Sequence, residues 1–143
     1  MSLSERTVGE LLAALGERTP TPASGAATAV TAALAAALVE LAGRFAGDDA
    51  AVVRAKALWS RLAELADEDA VAYEAFMTER SDANRERIIA VPLEIAACAE
   101  EVAELAEQVR AQLETAVVGD AEAAGELARA ASRVARRLAE LNA

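Results

Sequence analysis

The sequence predicts an all-α fold, a compact up-and-down bundle of about five helices around a buried Ala-rich central helix, and three observations carry it. Ala, Leu, Glu and Arg recur at helical spacing over nearly the whole chain, while the strong strand formers are sparse. Hydrophobic residues make up 55% of the 143 but aromatics only 3%, so packing must come from alanine and short aliphatic side chains that let helices approach closely. Between Ala26 and Val39 there is no charge at all. A helix apolar on every side is expected to be buried on every side.

The elements follow in order. Thr7-Val8-Gly9-Glu10 has the spacing of a capping box, and Leu11, Leu12 and Leu15 follow it before Gly16, giving a short first helix. Pro20 and Pro22 forbid its continuation, and Ser24 is expected to cap the central helix, Ser24 to Ala46, which Gly47 ends. Thr28 and Thr31 interrupt the apolar run, and Glu40 and Arg44 close it. Spanning a membrane takes about 18 or more apolar residues, so a core helix is the reading.

Asp48 and Asp49 cap a third helix that runs from about Asp49 to Arg80, with Val52, Leu58, Trp59, Leu62, Leu65, Ala66, Ala72, Tyr73, Phe76 and Met77 recurring at helical spacing on one packing face. Ser81 to Asn84 start a fourth, carrying Ile88, Ile89, Leu93, Ile95, Val102, Leu105, Val109 and Leu113, with Pro92 inside it at the loss of one backbone hydrogen bond. Gly119 and Asp120 open the fifth, Ala121 to about Asn142. No repeat or linker divides the chain, and a single domain over residues 1–143 is expected.

Composition excludes several function classes. A net charge of −10 disfavours a nucleic-acid backbone or an anionic membrane surface as partner. With no histidine and one cysteine, zinc sites of the usual kinds and Ser-His or Cys-His nucleophiles are ruled out, and Cys98 reads as a small buried hydrophobe. No metal site is expected. The stretch Met1 to Gly9 has no apolar signal core, so a cytoplasmic location is expected.

Chemistry must therefore come from carboxylates, Tyr73, Lys56, arginines or backbone dipoles. The small residues after Pro22, namely Ser24, Gly25, Ala26 and Ala27, leave the first helical turn bare, and its unpaired N–H groups form a seat for a carboxylate or a carbonyl oxygen. Asp69 and Tyr73, four apart, share a helix face, whereas Asp67 lies about 200° around from Asp69. Glu100, Glu101 and Glu104, with Glu64 and Asp67, could in principle hold Mg²⁺ through oxygen ligands. A solvated acidic surface explains them equally well.

Four stretches, in order, resemble the cyclodeaminase/cyclohydrolase family that includes the deaminase domain of formiminotransferase-cyclodeaminase. They are Pro20-Thr21-Pro22-Ala23-Ser24-Gly25 with the alanine-rich helix after it, Asp67-Glu68-Asp69-Ala70 with Tyr73, Phe76 and Met77 beyond, Val91-Pro92-Leu93-Glu94-Ile95-Ala96, and Gly119-Asp120-Ala121. The resemblance implies an all-α homodimer that acts on a tetrahydrofolate derivative without metal or further cofactor. Its members release ammonia from 5-formiminotetrahydrofolate or add water to 5,10-methenyltetrahydrofolate. By the same resemblance Asp69, Asp67 and Asp120 are the expected catalytic carboxylates, and Pro22, Ser24, Gly25, Tyr73 and Phe76 the expected substrate contacts. The alternative is a shortened relative without catalysis, serving as a helical dimerisation or interaction module, since the connection Thr78 to Ala90 lacks the family's Leu-Pro-Lys segment.

Overall fold

The structure, a computed structural model, describes residues 1–114 and 117–143. A short 3-10 turn, Leu3–Glu5, precedes α1 (Val8–Gly16), α2 (Ser24–Ala46), α3 (Asp49–Thr78), α4 (Asp82–Arg110) and α5 (Val118–Asn142). Helices therefore account for every regular element among the described residues. Short connections make α2 to α5 alternate in direction, and α2 packs against α3, α4 and α5. As a result the start of α2, the end of α3, the start of α4 and the end of α5 meet at one end of the bundle.

Local chemistry fixes most helix ends. Thr7 Oγ1 accepts from Glu10 N at 3.1 Å, Asp48 Oδ1 from Ala51 N at 3.0 Å, and Ser81 Oγ from Asn84 N at 3.2 Å. Gly47 ends α2 in the left-handed region, φ 69°, where the absence of a Cβ removes the steric penalty. Asp48 N then reaches back to Gly43 O at 3.0 Å. Asn84 Nδ2 donates to the carbonyls of Ala75, which also accepts Glu79 N, and of Glu79 at the end of α3, which stops at Thr78 rather than Arg80. Likewise α4 ends at Arg110, three residues before Leu113, because Gln112 and Leu113 tighten into i→i−3 bonds.

Ser24 does not cap α2. Ala23 holds that position without a side-chain bond, and Ser24 is already helical, with its carbonyl accepting from Thr28 Oγ1 at 2.7 Å. A side chain inside the first turn cannot fold back onto the N–H groups ahead of it, so this helix start stays open.

The core alternates methyl groups with larger side chains. Ala29, Ala32, Ala35, Ala36 and Val39 of α2 are fully buried against Leu62, Leu65, Ile95 and Val102. By length and composition α2 alone would pass for a membrane span. Its packing on three neighbours makes it the central helix of the bundle. It is not buried on all sides, however: Leu34 is 60% and Phe45 63% exposed. The side left open is the one facing α1, a helix too short to cover it and with no buried residue of its own.

Candidate functional site

The helix ends gathered at one pole of the bundle enclose a cleft of about 260 Å³. Its floor is the open start of α2. Gly25 is buried there, and the Asp69 carboxylate from α3 lies directly over it, so that a Cβ at residue 25 would overlap Cγ and both oxygens of Asp69. Only glycine permits this approach.

Tyr73, one turn beyond Asp69, lines the same cleft together with Pro20, Thr21 and Ala23 of the incoming turn. That turn is tied to α3 by the Thr21 hydroxyl, which donates to Glu74 Oε1. The remaining wall is apolar: Pro92 of α4 and Leu138 and Leu141 of α5, with Asn142 beside them. Asn142 Nδ2 donates to Ile88 O at 2.8 Å, and Arg85 Nη1 to Asn142 O at 3.3 Å.

Burial in this setting pushes the Asp69 carboxyl above its ordinary value, since the charged form is the one that loses solvation. Asp69 and Tyr73 are the only titratable groups lining the cleft among the described residues. A carboxyl that holds its proton to higher pH, next to unpaired backbone N–H groups at a positive helix end, is equipped to give a proton and then to be stabilised as the anion.

Of the residues singled out in the sequence, Ser24, Gly25, Asp69 and Tyr73 converge here. Pro22 stands between lining residues without lining the cleft itself. Three others lie elsewhere. Asp67, on the far side of α3, accepts from Leu3 N at 2.9 Å and anchors the amino-terminal turn. Phe76 is buried at the α3–α4 junction beneath Arg80 and Arg85, whose guanidinium carbons sit 5.3 and 5.1 Å from its ring centre. Asp120 belongs to the first turn of α5, at the opposite pole, about 33 Å along the helix from Asn142 at 1.5 Å per residue.

The wall from α5 escaped the sequence reading, although one signal pointed to it. A proline inside α4 leaves the carbonyl four residues earlier without its helical donor, and a buried carbonyl demands another. Of the five carboxylates considered as Mg²⁺ ligands, three pair with arginines, Glu100 with Arg136, Glu101 with Arg54 and Glu64 with Arg61, and Asp67 is bonded to Leu3 N. Three larger hollows carry no comparable convergence. One, of about 330 Å³, lies beside Glu100, Glu104 and Arg133. A second, of about 480 Å³, is an apolar groove lined by Val8, Leu11, Val30, Leu34 and Trp59. The third, of about 440 Å³, lies between the paired side chains of α4 and α5, Arg110 with Glu122 and Arg129 with Glu126.

Comparison with known proteins agrees with this architecture. Residues 7–143 match the model of a family described as formiminotransferase-cyclodeaminase. The fold is similar to that of formiminotetrahydrofolate cyclodeaminase from Thermotoga maritima, with a TM-score of 0.93 and 22% identity over 99% of this chain and 80% of that one. No curated protein sequence matches.

Proposed function

The chain belongs to the formiminotransferase-cyclodeaminase family, and from that premise we propose that it acts on a tetrahydrofolate derivative in the cleft at the start of α2, as a cyclodeaminase or a cyclohydrolase. The observation that carries this reading is the Asp69 carboxyl, half-buried and seated on Gly25 at an uncapped helix start.

Both reactions need one group that moves a proton to or from nitrogen at an amidine-like carbon. In the deamination, N10 of 5-formiminotetrahydrofolate attacks the carbon of the protonated formimino group, and the carbon–nitrogen double bond becomes single to leave an NH2 group. That amine takes a proton from Asp69 and leaves as ammonia while N5 forms the new double bond to the carbon. The carboxylate so formed removes the proton brought in on N10, which restores the acid. In the hydrolysis, Asp69 takes a proton from the attacking water and returns it to N5 as the carbon–N5 bond breaks, and the hydroxyl left on the carbon loses its own proton to solvent as it becomes the formyl carbonyl on N10. Neither route requires a metal. Tyr73 and the leucines of α5 supply flat and apolar surface for the heterocycle, and the N–H groups of the first α2 turn face its polar atoms.

The exposed side of α2 supports a homodimer. Leu34, Leu41 and Phe45, with Val8 and Leu12 of α1, leave an apolar face that a second copy would cover. A cytoplasmic setting suits both the folate and the lone free thiol at Cys98.

The test is ammonia release from 5-formiminotetrahydrofolate and hydrolysis of 5,10-methenyltetrahydrofolate by the parent protein and by Asp69→Asn. One of the two activities is expected, falling about 100-fold or more in the variant, the usual range for removing a general acid. Absence of both activities, together with a melting temperature unmoved by millimolar folate, would leave the non-catalytic interaction module as the reading.

A further inference from the structure

We propose that Asn142 is the positioning residue of the cleft: by donating to the Ile88 carbonyl that Pro92 leaves unpaired, it clips the last turn of α5 onto α4 and holds Leu138 and Leu141 as the cleft's apolar wall. Four observations support it. First, within a helix the N–H of residue 92 would bond the carbonyl of residue 88, and proline has no N–H to give. Second, Ile88 is only 4% exposed, so its carbonyl has little access to water, and Asn142 Nδ2 meets it at 2.8 Å.

Third, the bond is reciprocated. The carbonyls of a last helical turn have no partners within their own helix, and Asn142 O receives Arg85 Nη1 from α4 at 3.3 Å. The final turn of α5 is thus held to the first turns of α4 by two bonds of opposite direction. Fourth, Pro92, Leu138, Leu141 and Asn142 all line the cleft that holds Asp69, yet Leu141 is 61% exposed. An exposed leucine has no packing to fix it, so the side-chain amide next to it does the fixing.

The inference concerns how the wall is held, and it rests on the proposed folate chemistry only for its effect on ligand. The cleft contributes one further titratable group, Tyr73 on α3; none from α2, α4 or α5 lines it among the described residues. The solvation of Asp69 is therefore governed by the wall and not by a neighbouring charge.

The experiment is a double-mutant cycle read in three ways. Asn142→Leu, similar in size but without a donor, and Asn142→Ala are each made in the parent and in Pro92→Ala, where residue 92 regains the N–H that Ile88 O lacks. In the parent background each variant is expected to lower the melting temperature by about 3 °C. In the Pro92→Ala background the same change should have less than half that effect. In addition, a carbon-13 titration of Asp69 is expected to move down toward the ordinary carboxylate range in Asn142→Ala, as solvent enters past the loosened turn.

Binding of 5,10-methenyltetrahydrofolate should weaken about tenfold in Asn142→Leu with Pro92 present. Equal losses of melting temperature in both backgrounds, or an Asp69 titration unmoved by Asn142→Ala, would overturn the inference. A parent protein that binds no folate while the cycle and the titration behave as expected would sink the substrate assignment and leave the role of Asn142 standing.

Discussion

Two aspartates two residues apart have opposite fates, and helix geometry alone separates them. Asp67 spends its carboxylate on the N–H of Leu3; Asp69 turns inward and is pushed toward its neutral form by burial. Asp69→Asn is therefore expected to stabilise the protein at neutral pH while removing turnover. A raised folded-state pKa means that ionisation opposes folding, so the advantage of the amide is absent at pH values below the unfolded aspartate value and grows as pH rises through the folded one. Thermal melts of parent and variant from pH 3 to pH 8 would reveal that divergence. Asp67→Ala should do the reverse, keeping turnover and losing about 1 kcal/mol from the missing hydrogen bond. Gly25→Ala belongs with Asp69: its methyl group would displace the carboxylate, and ligand affinity and turnover should fall far more than the melting temperature, because alanine itself favours the helix.

Among the elements, those whose ends are written in adjacent residues were readable beforehand. Thr7, Asp48 and Ser81 each bond an N–H three residues on, and Gly47 occupies a left-handed position that few other residues accept. The bounds of α2 are those expected, Ser24 to Ala46, but its cap is Ala23 and not Ser24, because the cap depends on dihedral angles set by the proline-rich turn and not on which hydroxyl stands nearby. α5 shows the other limit of the sequence. Its periodicity predicts the helix, but nothing local says which end reaches the cleft: the resemblance points to Asp120 at one pole, whereas Leu138 and Leu141 line the cleft at the other. Packing between elements can be probed at Leu62, which is fully buried on α3. Leu62→Ala should cost about 2–5 kcal/mol in chemical denaturation, by lost burial plus the cavity left behind.

For the whole molecule, fold class, helix order and half of the candidate site were legible, since alanine content, periodicity and the Gly25, Asp69 and Tyr73 positions all act through local geometry. The remaining half was not legible because it depends on how α5 closes against α4, a relation between segments far apart in the chain. The outer face of α2 belongs to the same scale. If the proposed homodimer forms through this face, Phe45→Glu combined with Leu34→Glu is expected to shift the sedimentation coefficient from that of a dimer to that of a monomer, with helicity unchanged by circular dichroism, and a parent protein that sediments as a monomer would overturn the dimer. The methyl-lined interior carries a consequence of its own. Residues such as Ala32 and Ala36 have no room to grow, since each added carbon would drive two helices apart at a typical cost of about 1–3 kcal/mol. Room for a longer, shorter or differently decorated guest lies instead at the rim, where Ala23 and Leu141 are exposed.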